Sequence, residues 1–294
     1  MSGSFSAAIS DVDVDFSSIP ASDLALLLPK LPSFLHQTPE ARRRQQFRVL
    51  STRLVAHLTD DQDRTSQDNS LSRAIQQILA VSPRPAADEA HRAWLLLQNV
   101  ISQLPRSAME QFRPALGHIE RLHYHFPEID LSGEAVDILR YLNSRCAYVP
   151  MSKTDYLAVR SIQEGVHTAE EMRPLIPGLL SWLQDANWPM CSASCEQLSR
   201  FPALAVEGVR SVLQHLNGDD GEWEGNLLRF VGTVPPALRE SLRPEIERIV
   251  QRPTASETAH EVSELVIELL VAMDWWAHRP LKVRSQPAED LGQD

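Results

Sequence analysis

Two stretches of this chain read as one unit written twice, and that repetition restricts the folds open to it more than any other feature. Leu27-Leu28-Pro29-Lys30-Leu31-Pro32-Ser33-Phe34-Leu35 matches Leu175-Ile176-Pro177-Gly178-Leu179-Leu180-Ser181-Trp182-Leu183. Further on, Leu104-Pro105 followed by Phe112-Arg113-Pro114 matches Val234-Pro235 followed by Leu242-Arg243-Pro244, across gaps of equal length. Glu134, Val136 and Leu139 then stand opposite Glu264, Val266 and Leu269. The offset is 148 residues at the start and 130 afterwards, a drift that one indel block accounts for. A shared period with matching prolines is the mark of a repeat architecture.

Composition says that the repeated unit is helical. Eleven glycines in 294 residues is few, Leu and Ala are abundant, and β-branched runs are short; this balance favours helix over sheet. The twenty prolines belong at helix starts and in the turns between helices. Apolar spacing predicts helices over Arg42–Leu58, 71–81, 88–104, 106–124 and 132–145. A second set is expected over 154–164, 168–184, 189–201, 203–216, 222–232, 235–251 and 257–277. In the first of these, Phe47, Leu50, Leu54 and Leu58 share one face. Thr254-Ala255-Ser256-Glu257 has the form of a capping box and is read as opening the last helix.

A shorter period runs inside the second copy. Asp185-Ala186-Asn187-Trp188 returns 35 residues later as Asp220-Gly221-Glu222-Trp223, each after a leucine-rich helix. The Asp accepts from free backbone amides at the next helix start, and the aromatic three residues on packs back against the preceding helix. Thr38-Pro39-Glu40 and Asp88-Glu89-Ala90 are read as the first-copy caps, with the aromatic shifted to Trp94. Helix pairs of this length, stacked side by side, define an all-α, HEAT-like α-solenoid built from two tandem related helical units. The predicted organisation is a disordered tail over 1–20, a diverged helical-repeat unit over 21–145, a second unit over 146–277, and a disordered tail over 278–294. Asp60 to Ser70 reads as a mobile polar loop.

Charge narrows the partners. Residues 1–150 carry 15 basic and 17 acidic side chains, whereas 151–294 carry 13 and 22, a net −9 in the second half. Such a surface repels phosphate backbones and attracts a basic protein, so nucleic acid is not expected as a ligand. Three cysteines give no pairing framework, which suits a reducing, cytoplasmic compartment. The first fifteen residues lack a secretory pattern, and no apolar stretch reaches the length of a membrane span.

The stretch from about Val149 to Leu270 resembles a small helical family, domain of unknown function 5071. The resemblance rests on Pro174-Leu-Ile-Pro-Gly-Leu-Leu-Ser-Trp-Leu-Gln-Asp-Ala-Asn-Trp-Pro189, then on Asp219-Asp220-Gly-Glu-Trp223. It continues through Leu242-Arg-Pro-Glu-Ile-Glu-Arg-Ile249, Arg252-Pro253-Thr254 and the acidic final helix. It implies an all-helical, HEAT-like domain with no assigned activity, so no catalytic residue is carried over. The first copy reads as a diverged sibling. After the second Trp the family tends to continue with a basic residue and aromatics, whereas Glu224-Gly225-Asn226 stands here. If that edge binds something in relatives, this chain is expected to bind it differently or not at all.

Reactive groupings are few. Cys191 and Cys195 lie four residues apart, close enough to share a metal, yet no nearby Cys or His pair completes a tetrahedral set. His118, His123 and His125 with Glu120 are the densest histidine group, but His118 and His123 diverge by about 140° on a helix. HEAT-type enzymes that hold two irons draw His-Glu pairs from several repeats, and His260-Glu261 is the single such pair here. No phosphate loop, Gly-x-Ser-x-Gly or dinucleotide fingerprint occurs. Asp219, Asp220 and Glu222 form an acidic knot beside Trp223, on a turn of the kind that lines the binding edge of a solenoid. Adjacent Trp275 and Trp276 diverge by about 100°, so one of them is expected at a rim.

The leading expectation is therefore a non-enzymatic protein–protein interaction module without cofactor. Trp188, Asp219, Asp220, Glu222 and Trp223 are its partner-binding residues. A narrower form is an immunity-like, toxin-neutralising binder. The rival is a metal- or thiol-dependent enzyme on the same scaffold, centred on Cys191/Cys195 or on His118/His123/His125.

Overall fold

The structure is a computed structural model that describes Leu28 and residues 40–60, 70–122 and 129–277. The side chains of 40–44, 46, 60 and 274–277 are not among those described. Both predicted tails, the Leu27–Leu35 run apart from Leu28, the Thr38-Pro39 cap, most of the 60–70 loop, His123, His125 and the side chains of Trp275 and Trp276 thus fall outside them. The described residues are helical and contain no β-strand. The chain is all-α. It divides into two compact units, Met1–Ser144 and Arg145–Asp294. No described helix is long and apolar enough to cross a membrane.

The first unit runs through α1 (Glu40–Asp60), α2 (Ser70–Leu79), α3 (Ala87–Asn99), α4 (Arg106–Met109), α5 (Arg113–Glu120) and α6 (Leu131–Asn143). The second contains α7 (Tyr156–Gly165), α8 (Ala169–Met172), α9 (Ile176–Ser181), α10 (Pro189–Ser199) and α11 (Pro202–Leu216). It continues with α12 (Gly221–Thr233), α13 (Pro236–Arg239), α14 (Arg243–Gln251), α15 (Ala255–Ala259) and α16 (Val262–Ala277).

Apolar spacing placed most of these helices, and proline chemistry broke three of them. The segments 106–124, 168–184 and 235–251 are each expected as one helix, but their described residues run through an α-turn, a 3-10 turn and an α-helix in succession. The tight turns are Glu110–Phe112, Arg173–Leu175 and Glu240–Leu242. Pro114, Pro177 and Pro244 stand at the start of the helix that follows each turn. A proline has no N–H for the carbonyl four residues back and its ring crowds that carbonyl, so the chain tightens there. Two of these kinks share a bidentate clamp: Arg113 holds Glu110 at 2.7 and 2.8 Å, and Arg243 holds Glu240 at 2.5 and 3.1 Å.

Two further helices are shorter than expected. α3 stops at Asn99, and Ile101–Gln103 is a 3-10 turn. The 257–277 helix is interrupted at Glu261, whose φ of 57° is left-handed. The Thr254/Glu257 capping box forms, but it opens the short α15 rather than the last helix.

Each unit buries its own core. In the first, Leu50, Leu54 and Leu58 of α1 are buried as one face, while Phe47 is only half-buried. Tyr141 of α6 is fully buried, with the Arg106 guanidinium 4.3 Å from its ring centre and reaching on to the Ser144 carbonyl at 2.7 Å. In the second unit the core is built around Leu179, Leu180, Leu227, Leu228, Ile246 and Val266. Burying such a side chain contributes about 1.5–3 kcal/mol, and this holds short helices that are marginal alone. Arg200 closes α7 by donating to the Ile162 and Val166 carbonyls, the preferred place for a cation on a helix.

Candidate functional site

The acidic turn that follows α11 is shaped by two left-handed residues. Asn217 has φ 48° and Gly218 φ 91°, conformations that end a helix cleanly. Asp220 then caps α12, its carboxylate accepting from the Trp223 amide at 3.0 Å. The expected role of Asp220 is met, so its oxygen is committed to the scaffold. Asp219 and Glu222 stand exposed on either side of it.

Trp223 packs backwards, but past α11 to α9: its indole N–H donates to the Leu180 carbonyl at 3.1 Å. Asn226, one turn on, donates to the Gln184 carbonyl at 3.4 Å. Side chains of α12 thereby tie down the C-terminal end of α9 and the turn that follows it. Trp223 is half-buried against the core.

Asp185 departs from its expected role. It does not cap α10, whose N-cap is Trp188 with no side-chain bond; it accepts instead from the Asn187 amide at 2.8 Å, closing a local turn. The helix starts only at Pro189, so Asp185 stands three residues before the N-cap position that Asp220 occupies in α12. Asp88 likewise does not cap α3. Ala86 is the N-cap, and Glu89 accepts from the Ala86 amide at 3.3 Å and the Ser82 amide at 2.7 Å.

Trp188 belongs to a second surface, at the start of the second unit. Its ring meets Trp182 edge-on, with centroids 5.5 Å apart, and Lys153 sits 5.0 Å over its face. The Trp182 indole donates to the Pro150 carbonyl at 3.0 Å. Beside Lys153, Met151 is 72 % exposed and Tyr156 is 53 % exposed. The buried Asp155 fixes the backbone between them, accepting from the Met151 amide at 3.3 Å and from the Ala158 amide at 3.1 Å. Met151, Lys153 and Tyr156 escaped the sequence reading because two isolated apolar residues beside a lysine carry no periodic signal. Ile267 and Val271 also leave apolar surface on the outer side of α16.

The groups considered for chemistry are placed as follows. Cys191 and Cys195 are half-buried on α10 against the core, and Cys146 is exposed. Burial raises the Cys191 thiol above its usual value and, together with the charge of Cys191, pushes Cys195 up to about 12. Both are protonated near neutral pH, the unreactive form of a thiol. His118 bonds the Val81 carbonyl at 2.7 Å through Nε2. Among the described residues, no three His, Cys, Asp or Glu side chains converge as a metal site requires.

Sequence reasoning also missed a buried acid pair. Glu224 and Glu257 both have wholly buried side chains, and both lie near Arg248. The signal was in the sequence, as the departure at Glu224 after the second Trp, but its buried position came only with the fold.

One family, described as a domain of unknown function (DUF5071), matches residues 148–270. Trp188, Trp223, the acid pair and the Met151–Tyr156 segment all lie within that span. No curated protein and no solved structure matches the chain.

Proposed function

We propose that the second unit is a protein-binding module without enzymatic activity. Its anchor is the Met151–Tyr156 segment beside Trp188, and its partner is a basic protein. The observation that carries this reading is the exposure of Met151 and Tyr156 on backbone pinned by the buried Asp155. Tyr, Trp and Met are the residue types that anchor interfaces, and a rigid anchor loses little entropy on binding. Residues 145–294 carry 14 Lys and Arg against 22 Asp and Glu, a net −8, with Asp219 and Glu222 among the exposed acids. That charge favours a basic partner over nucleic acid and speeds encounter more than it tightens the complex. The immunity-like binder is the narrower form of this reading, in which the basic partner is a toxin.

The architecture behind this reading is a HEAT-like solenoid whose two units arose by tandem duplication. The support is the kink repeated at an offset of 130 residues, with Arg113–Glu110 and Arg243–Glu240 in the same bidentate geometry.

The test places a photo-crosslinking residue at Tyr156 or at the exposed Glu170 of the full chain in its native cells. The reading expects one basic protein to crosslink at position 156 and not at 170. That protein, purified, should bind wild type with an affinity that falls with salt, and Met151→Asp should abolish binding. Equal crosslinking at both positions, or binding indifferent to Met151→Asp, overturns it.

A further inference from the structure

Beneath the acidic turn, two fully buried carboxyl groups share a site with one partly buried guanidinium. Glu224, in the first turn of α12, accepts from the Gly218 amide through Oε1 at 2.8 Å. Glu257 of α15 accepts from the Thr254 amide at 2.7 Å and from Arg248 of α14. Arg248 stands 3.8 Å from the other oxygen of Glu224. Around them the turn is stitched to α15: Thr254 Oγ1 donates to the Gly218 carbonyl at 2.7 Å, and the Gly221 amide donates to Ser256 Oγ at 2.9 Å. A Cβ on Gly221 would lie 2.5 Å from the Ser256 carbonyl oxygen, so the two backbones touch.

The charge balance of this site is wrong for two carboxylates. Glu224 Oε2 is buried and, as an ionised acceptor, has no hydrogen-bond partner. A buried polar atom in that condition costs about 1–3 kcal/mol, and more if charged. A proton on Oε2 removes the difficulty, because the carboxyl group can then donate to Glu257, the side chain it faces. Burial first, and then Glu257, push Glu224 up to about 7. Burial also acts to raise Glu257, but the bonds from Arg248 and the Thr254 amide outweigh it and hold that carboxyl below its usual range. One member of the pair therefore keeps a proton and the other does not.

We propose that Glu224 and Glu257 form a proton-operated latch, which clamps the acidic turn 217–222 onto α15 while they share one proton and loosens it when that proton leaves. Any effect on partner binding rests on the reading of this unit as a docking module; the latch itself does not. The charged groups acting on Glu224 are Glu257 of α15 and Arg248 of α14. His215 on α11, His260 after α15 and Glu264 on α16 are exposed, as are Asp219 and Glu222 of the turn itself.

The sign follows from linkage. Glu224 has a higher pKa in the closed state than its ordinary 4.5 in an opened one. The closed state thus holds the extra proton, and its advantage is full below about 4.5 and lost as pH rises through about 7. The latch weakens with rising pH.

The experiment is hydrogen exchange at the Gly218 and Gly221 amides of the full chain at pH 6 and pH 8, corrected for intrinsic rates. Peptides from α11 serve as an internal reference, and no partner is needed. Wild type should open about tenfold more often at pH 8 than at pH 6. Glu224→Gln keeps the acceptor for Gly218 and supplies a neutral donor to Glu257, so its exchange should be slow and level across the range. A level wild type, or a Glu224→Gln variant as steep as wild type, overturns the latch. If that variant does not fold, carbon-13 titration of the Glu224 carboxyl in wild type decides: a midpoint near 7 supports the latch and one below about 5 refutes it. A latch seen without any crosslinked partner would leave this inference standing and the docking reading fallen; the reverse result would do the opposite.

Discussion

The Trp223 indole N–H and the Leu180 carbonyl, 3.1 Å apart, join the first turn of α12 to the end of α9 across 43 residues of sequence. The ring fills space against the core, and its nitrogen gives a second bond to a carbonyl that also accepts from the Leu183 amide. The two contributions separate by substitution. Trp223→Phe keeps most of the ring and should cost about 1 kcal/mol, the typical worth of one hydrogen bond. Trp223→Ala should cost about 3 kcal/mol. Urea unfolding of the second unit measures both, and a Trp223→Phe variant as stable as wild type would show that the bond contributes nothing.

Two glycines are held by contact, and they differ in what they touch. A Cβ at Gly178 would lie 2.8 Å from both methyl groups of Val149, whereas at Gly221 it would meet the Ser256 backbone. Gly178→Ala should cost about 1–3 kcal/mol through overpacking, and Val149→Ala in the same chain should recover part of it. Gly221→Ala should cost at least as much, with no side-chain substitution to relieve it. Thermal unfolding of the single and double variants tests the distinction.

The adjacent acids Asp219 and Asp220 should part company on mutation. Asp220→Ala removes an N-cap and should destabilise the unit by about 1 kcal/mol. Asp219→Ala, at an exposed position one residue before the cap, should stay within about 0.5 kcal/mol. Charge removal at the surface is therefore cleanest with Asp219→Asn and Glu222→Gln. Chemical denaturation of each variant reads the difference, and a costly Asp219→Ala would contradict it.

Thiol chemistry should follow burial. Cys146 is exposed, Cys191 is raised by burial, and Cys195 is pushed up to about 12. A maleimide or disulfide reagent at pH 7 should modify Cys146 first and Cys195 last, with all three equal once the chain is unfolded. Mass spectrometry of time points measures the order. Rapid labelling of Cys195 in the folded protein would revive the thiol as a reactive centre.

Helix positions and much of the core were legible because a buried helical face repeats at a spacing that sequence records. Leu50, Leu54 and Leu58 are an instance, predicted on one face and buried as one. Caps were legible only where the helix that follows has an ordinary start. Asp220 caps α12 as expected, but Asp185, in the same Asp-x-x-Trp pattern, turns locally because Pro189 begins its helix. The five residues first read as a binding site divide in the same way. Asp219 and Glu222 are exposed, whereas Asp220 and Trp223 are engaged by the scaffold and Trp188 meets Trp182 edge-on.

By itself, the sequence determined the helical class, the uneven charge and the apolar faces that helices bury. These depend on local backbone preference and composition, which need no neighbours. Only the tertiary structure decided that Trp223 reaches Leu180, that Met151 and Tyr156 face outwards, and that Glu224 and Glu257 are shut in with Arg248. Burial and pairing are properties of groups brought together from distant positions, and a carboxylate's chemistry changes only when folding removes its water and supplies a neighbour.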